Sequence, residues 1–209
     1  MKHHRTLSIT AVVAAGFALS GCLGSSSDSS TDMPELGEAE EMLTPQAVTD
    51  AYNAVVQDLD KTVGGTFGAT IEGDYEGAMV VSINAGGDAV ADLAVSVEWD
   101  SSDPTAPAFD GTASNFLIYR AGGVTEVEGE LTVDQTLENS FDHDENESVF
   151  VMTGNLTPAG ATQNEYQATF EGAFYDGTDA HAGQVNMSII TGGGDTDYGI
   201  GNFYLLNAD

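Results

Sequence analysis

The chain has 209 residues, with 4 Lys and Arg against 34 Asp and Glu, a formal net charge of −30. Four cations cannot build the basic stripe that neutralises nucleic-acid phosphates or docks on anionic headgroups, so no nucleic-acid partner is expected. With 41% hydrophobic residues, nine Phe and seven Tyr, the chain has material for a core, and 25 Gly against 5 Pro suit a turn-rich β-protein.

Residues 1–21 read as a signal peptide. Lys2, His3, His4 and Arg5 form a basic start, and Leu7 to Leu19 is apolar or small apart from Ser8 and Thr10. That run is shorter than the roughly 20 apolar residues a spanning helix needs. Leu19-Ser20-Gly21-Cys22 resembles the lipobox of bacterial lipoproteins, in which the cysteine becomes the first residue and is lipidated. Cys22 would then carry two ester-linked acyl chains and commonly a third on its amine, a palmitate-type anchor that holds the protein on a membrane. Leu23, in place of the Asp common in lipoproteins kept at the inner membrane, points to the outer membrane. Cys22 is the only cysteine, so the mature chain has no disulfide, no thiolate nucleophile and no cysteine metal site. Lys61 and Arg120 are its only fixed cations against 34 acids, a side-chain sum of −32.

Residues 22–43 form a tether, Ser-rich from Gly24 to Thr31 and then acidic. Residues 44–61 predict a helix, with Thr44 as N-cap and Pro45 in the first turn. Val48, Ala51, Tyr52, Val55 and Leu59 make one apolar stripe, and Gly64-Gly65 mark the end. The stripe is read as packing on the chain's own domain, as a plug over one end, in preference to binding a partner.

From residue 62 to 209 the period becomes two. Leu93, Val95, Val97 and Trp99 alternate with Asp92, Ala94, Ser96 and Glu98; Val127, Leu131 and Val133 alternate with acids and Thr132. Eight or nine such segments, separated by Gly-rich turns, predict an all-β protein. Its architecture is a soluble antiparallel β-barrel of about eight strands preceded by one short amphipathic α-helix. An alternate face of Glu126, Glu128 and Glu130 cannot meet lipid tails, so the barrel is read as water-facing.

The chain lacks nucleophile-elbow, zinc-protease and phosphate-loop motifs, so it is read as not an enzyme and no cofactor is expected. Asp142, His143 and Asp144, in the run to Glu147, offer the densest set of hard ligands for a metal ion. His143 and His181 are the only histidines of the mature chain, on different hairpins. His181 is the candidate ligand-binding histidine, with Tyr175 and Tyr198 expected on the same barrel rim.

Gly172-Ala-Phe-Tyr175-Asp-Gly177-Thr-Asp-Ala-His181-Ala-Gly183-Gln-Val185 is a strand, turn, strand segment. It resembles the barrel domains of transferrin-binding-protein-like bacterial surface lipoproteins, whose pattern is roughly Gly-x-Phe-Tyr-Gly-Pro-x-Ala-x-Glu-x-Gly-Gly-x-Phe. Asp176 is an insertion, Thr178 replaces the Pro, and Gln184 replaces the second Gly of the pair. The resemblance implies surface display and capture of an extracellular ligand, often linked to iron or haem uptake. The chain has room for one barrel and no handle domain, so binding of transferrin itself is not carried over. The expected function is an outer-membrane, surface-exposed lipoprotein whose barrel binds an extracellular protein or small solute. The rivals are a structural envelope lipoprotein and a carboxylate-dependent hydrolase. The charge predicts a halophilic source and stability that rises with salt, which screens like-charge repulsion.

Overall fold

The computed structural model describes residues 42–191 and 194–208. The expected signal segment, Cys22 and nearly all of the expected tether lie outside these residues, as does part of the Gly192–Asp195 turn.

The helix α1 (Pro45–Asp58) starts where its cap predicts, with the Thr44 hydroxyl oxygen accepting from the Ala47 N–H at 3.2 Å. It stops at Leu59, where the backbone turns extended, several residues before Gly64. Ten strands follow: β1 (Thr70–Ile83), β2 (Asp88–Asp100), β3 (Phe109–Arg120), β4 (Gly123–Gly129), β5 (Leu131–Val133), β6 (Asn139–Asp142), β7 (Glu147–Pro158), β8 (Asn164–Tyr175), β9 (Ala180–Thr191) and β10 (Gly194–Asn207). All pairings are antiparallel. The order β2-β1-β10-β9-β8-β7-β4-β3 is closed by β2 pairing with β3, so the sheet is a ring with no open edge along that path. β1 runs unbroken from Thr70 to Ile83. The alternating run through Val127, Leu131 and Val133 is two strands, β4 and β5, broken at Glu130, and β6 is a short strand that only β7 pairs.

Inward positions follow the alternation. Leu93, Val95, Val97 and Trp99 all belong to the main core, and Glu126, Glu128 and Glu130 are exposed. An eight-stranded ring is just wide enough for side chains to fill, and here aromatic rings fill it. Phe150 stacks on Phe109 at 4.8 Å and on Phe170 at 4.7 Å, and Phe203 meets Phe170 edge-on at 5.2 Å. Beyond this layer, a void of about 10 Å³ lies among Phe116, Tyr166, Met187 and Tyr198, room for about one water.

The helix does not plug an end. It lies on the outer wall: Val48 packs with Ala78, Val80 and Val90, and Val55 with Ala180 and Ala182. The physical reason is visible in the strands. Ala78–Val81, Ala89–Ala91 and Ala180–Ala182 are buried at consecutive positions, so the wall is apolar on both faces there and needs a cover. The plug is the connector after the helix. Thr62 N–H donates to the Phe174 carbonyl at 3.0 Å, Gly65 N–H to the His143 carbonyl at 2.8 Å, and Phe67 inserts among Phe141, Phe174 and His143. A Cβ on Gly64 would collide with the Asp144 carbonyl oxygen, so this glycine serves close passage of the connector and not helix termination.

Candidate functional site

The ring has two unlike ends. The turn end carries the β1–β2, β3–β4, β7–β8 and β9–β10 connections. The loop end carries residues 101–108, the β6–β7 turn and the β8–β9 turn. The chain enters at the turn end, where the Tyr119 hydroxyl donates to the Leu43 carbonyl at 2.7 Å. A cleft of about 550 Å³ opens at the opposite, loop end, between Trp99, Ser101, Pro104, Ser140, Phe141 and the β6–β7 turn. The cleft is open to solvent over much of its extent.

Each wall has a local cause. Trp99 is the last inward residue of β2. The turn residues are set by Asp142, whose Oδ1 accepts from the N–H groups of Asp144 and Glu145 at 2.9 and 3.1 Å. Asn146 follows with φ of 53° and is fully buried. Its Nδ2 donates to the Thr62 and Phe174 carbonyls at 2.7 and 3.0 Å, and its Oδ1 accepts from Phe174 N–H at 3.0 Å. This clip ties turn, connector and β8 together. His143 is thereby laid flat on Trp99, centroids 5.2 Å apart and planes 15° apart, with Phe141 edge-on to the indole at 5.5 Å. The rim is acidic: Asp142 and Asp144 line the cleft, and Asp144 Oδ1 lies 3.2 Å from His143 Nδ1. Neither Lys61 nor Arg120 lines it. Trp99 is 5% exposed, and its indole N–H is buried without a hydrogen-bond partner among the described residues.

The expected metal ligands therefore share one rim. They do not converge: among the described residues no group of three His, Cys, Asp or Glu is arranged to hold a metal ion. Asp142 spends one oxygen on its own turn, and His143 and Asp144 meet each other at 3.2 Å.

The three residues expected on a common rim are separated. Tyr175 is half-buried on the outer wall near Val55, and its hydroxyl pKa is raised by burial first and by Tyr52 second. Tyr198 sits near the turn end, edge-on to Tyr166 at 5.2 Å, with a pKa pushed up to about 12, chiefly by burial. His181 is inside the ring. It is fully buried among Phe109, Phe174 and Phe203, with Nε2 2.6 Å from the Ser148 hydroxyl and Nδ1 unpartnered. Desolvation lowers its pKa to about 3, so the ring is neutral. A serine and a histidine in contact are two parts of an acyl-transfer triad. Here both are sealed from solvent, and no carboxylate orients the second ring nitrogen.

Sequence reasoning missed Trp99 and Phe141 as site residues. The available signal was position: Trp99 is the only tryptophan and closes an alternating strand at the ring's mouth. Comparisons with protein-family profiles, with curated proteins and with solved structures return no match. Among the described residues no helix is long and apolar enough to cross a membrane.

Proposed function

We propose that the chain is a lipid-anchored, surface-displayed receptor of the outer membrane. Cys22 carries the anchor, and the barrel domain takes a small extracellular solute in the loop-end cleft without turning it over. The observation that carries the binding part is the 550 Å³ cleft itself, walled by Trp99, Phe141 and His143 and rimmed by carboxylates, in a ring whose interior is otherwise filled. A filled lumen leaves the outside of the ring for a ligand, where the loop-end cleft is larger than those of about 340 Å³ beside Pro45 and about 310 Å³ beside Gln135. The cleft lies at the end of the ring away from Leu43. The lipobox-like Cys22 and the likeness of the Gly172–Val185 hairpin to surface lipoproteins support display. Haem ligation through His181 is not part of the proposal, because that ring is sealed in the core.

Two measurements test it. Cells expressing Cys22→Ser should release the protein from the membrane fraction and lose acyl-chain labelling; retention with undiminished labelling defeats the anchor. The unlipidated mature chain, dialysed against the low-molecular-weight fraction of spent medium, should show a saturable change in Trp99 emission that His143→Ala abolishes. A response indifferent to His143 defeats the cleft as the site. The filled interior also favours a second reading, a structural envelope component with no ligand, which predicts no saturable response from any solute fraction.

A further inference from the structure

We infer that the solute taken in the cleft is a short extended peptide carrying Lys or Arg, which adds a strand to the free edge of β6. The inference deepens the proposed solute site and depends on it.

The ring lacks a strand at this point. β2 and β3 pair as far as Val97 and Phe109, with one further bond from the Glu98 N–H to the Ala108 carbonyl at 2.9 Å. β2 then runs on beside β1 alone, to Asp100. Across the gap stands β6, which pairs only with β7. At its first residue a side chain does what a neighbouring strand would do. Asn139 Oδ1 accepts from the Ala108 and Phe109 N–H groups at 3.0 and 2.9 Å, and its Nδ2 donates to the Phe109 carbonyl at 2.7 Å. Past that clip, Ser140, Phe141 and Asp142 have no strand on the side away from β7, and all three line the cleft together with Ser101 and Pro104. Such an edge offers the N–H and C=O groups of alternate residues, and an extended peptide pairs with them through its own backbone.

The chain does not fill this edge itself. The nearest segment is the β2–β3 connection, but residues 101–107 are all exposed, and Pro104 and Pro107 lack the N–H groups a ladder needs. A second copy is opposed by charge. Pairing β6 with β6 would bring Asp142 of one chain against acids of another, each chain carrying −30.

Space and charge then select the peptide. On the inner side Trp99 and Phe141 are buried and close the interior, so residues turned inward must be small. On the outer side Ser140 and Asp142 are exposed, the Asp144 side chain is 91% exposed, and neither Lys61 nor Arg120 lines the cleft. An extended chain sends alternate side chains to opposite faces. Small residues alternating with Lys or Arg satisfy both. With three edge residues, backbone pairing is short, and charge complementarity supplies the rest of the affinity.

The test uses the unlipidated mature chain and a capped, fluorophore-labelled hexapeptide of alternating Ala and Lys, read by anisotropy and by hydrogen exchange. Binding should saturate and should slow exchange of the β6 amides that face away from β7, while the Gly122–Gly123 turn is unaffected. The same peptide N-methylated at every residue keeps its charge but has no backbone donor, and should bind at least about tenfold more weakly. An alternating Ala and Glu peptide should not bind. Asp142→Asn with Asp144→Asn should weaken binding by about threefold or more; an amide oxygen at position 142 can still accept from the turn N–H groups, so the loop survives. Equal binding of the N-methylated peptide overturns strand addition, and unchanged affinity in the double variant overturns the charge selection. Protection at β6 that appears without peptide and grows with protein concentration assigns the edge to a second copy and overturns the inference. No binding of the Ala and Lys peptide, with the medium-dialysis response intact, overturns the peptide class and leaves the solute site; loss of both overturns the two together.

Discussion

The two ends of the ring are built from the same alternating strands and differ in what finishes them. At the turn end, β1–β2 and β3–β4 close with short Gly-rich turns, Gly86, Gly87 and Gly123 taking positive φ. The interior there is aliphatic and tyrosine-rich, with only a water-sized void. At the loop end the strands run out into residues 101–108 and the β6–β7 turn, and a connector arriving from the helix fills part of the opening. Buried polar groups gather on that side: Asn146, Ser148 and His181 are the buried polar residues among those described, and Asn146 is the one that clips the loops. Tight turns need no such clip, because the ladder beside them already satisfies the backbone. Long loops do, and the side chains that hold them also shape a cleft.

The comparison can be broken most severely in the aromatic layer. Phe150→Ala removes the ring between Phe109 and Phe170 and should cost about 3–5 kcal/mol in urea unfolding. Leu156→Ala, toward the turn end, should cost about 2–5 kcal/mol, towards the lower part of that range because less volume is removed. A larger loss at Leu156 would contradict an aromatic layer that dominates the core.

The next effect concerns backbone passage. Gly64→Ala forces the connector off the Asp144 carbonyl and should cost about 1–3 kcal/mol, with a red shift of Trp99 emission as the plug lifts. Gly122→Ala, in open space at the turn end, should stay within about 0.5 kcal/mol of the parent. Equal effects would show that the connector does not seal the loop end.

His181 sets a pH dependence. Its pKa is about 3 folded and near 6.5 unfolded, so between those values the unfolded chain binds the extra proton. The stability it contributes is complete above about pH 6.5 and falls as pH drops towards about 3, by up to about 1.4 kcal/mol per pH unit. His181→Leu with Ser148→Ala should flatten that slope relative to the parent, with the carboxylate background common to both. An unchanged slope in urea titrations across this window would place the proton elsewhere.

The smallest and least local effect is that of salt. Acids are exposed at both ends and along the walls, so raising NaCl from about 0.15 M to about 1 M shortens the screening length from about 8 Å to about 3 Å for all of them. Tm should rise by a few degrees, and by the same amount in Gly64→Ala as in the parent. A fall in Tm would remove the halophilic reading of the surface.

Much of this architecture was legible in the residues. Period-two alternation at Leu93–Trp99 and Val127–Val133 defined inward and outward faces, because a strand exposes its two sides in turn. Thr44-Pro45 located the helix start to the residue, since a cap is a local hydrogen bond. The Gly-rich turns located most hairpins, and the lipobox-like segment needs no tertiary structure to be read. What tertiary structure alone decided was which distant residues meet. The helix went to the wall because the β1–β2 hairpin and β9, distant in sequence, lie on either side of β10, where Tyr204 joins Ala78 to Ala182 and makes one apolar strip. His181, Tyr175 and Tyr198 parted company because a one-residue offset sends a side chain to the opposite face of a strand, and about ten positions carry it to the opposite end. Trp99 and His143, 44 positions apart by their numbering, became one wall because β6 and the connector fold over the mouth of β2. Local periodicity carries no information about such closures; they follow from long-range pairings, above all that of β1 with β10, which turn a sheet into a ring.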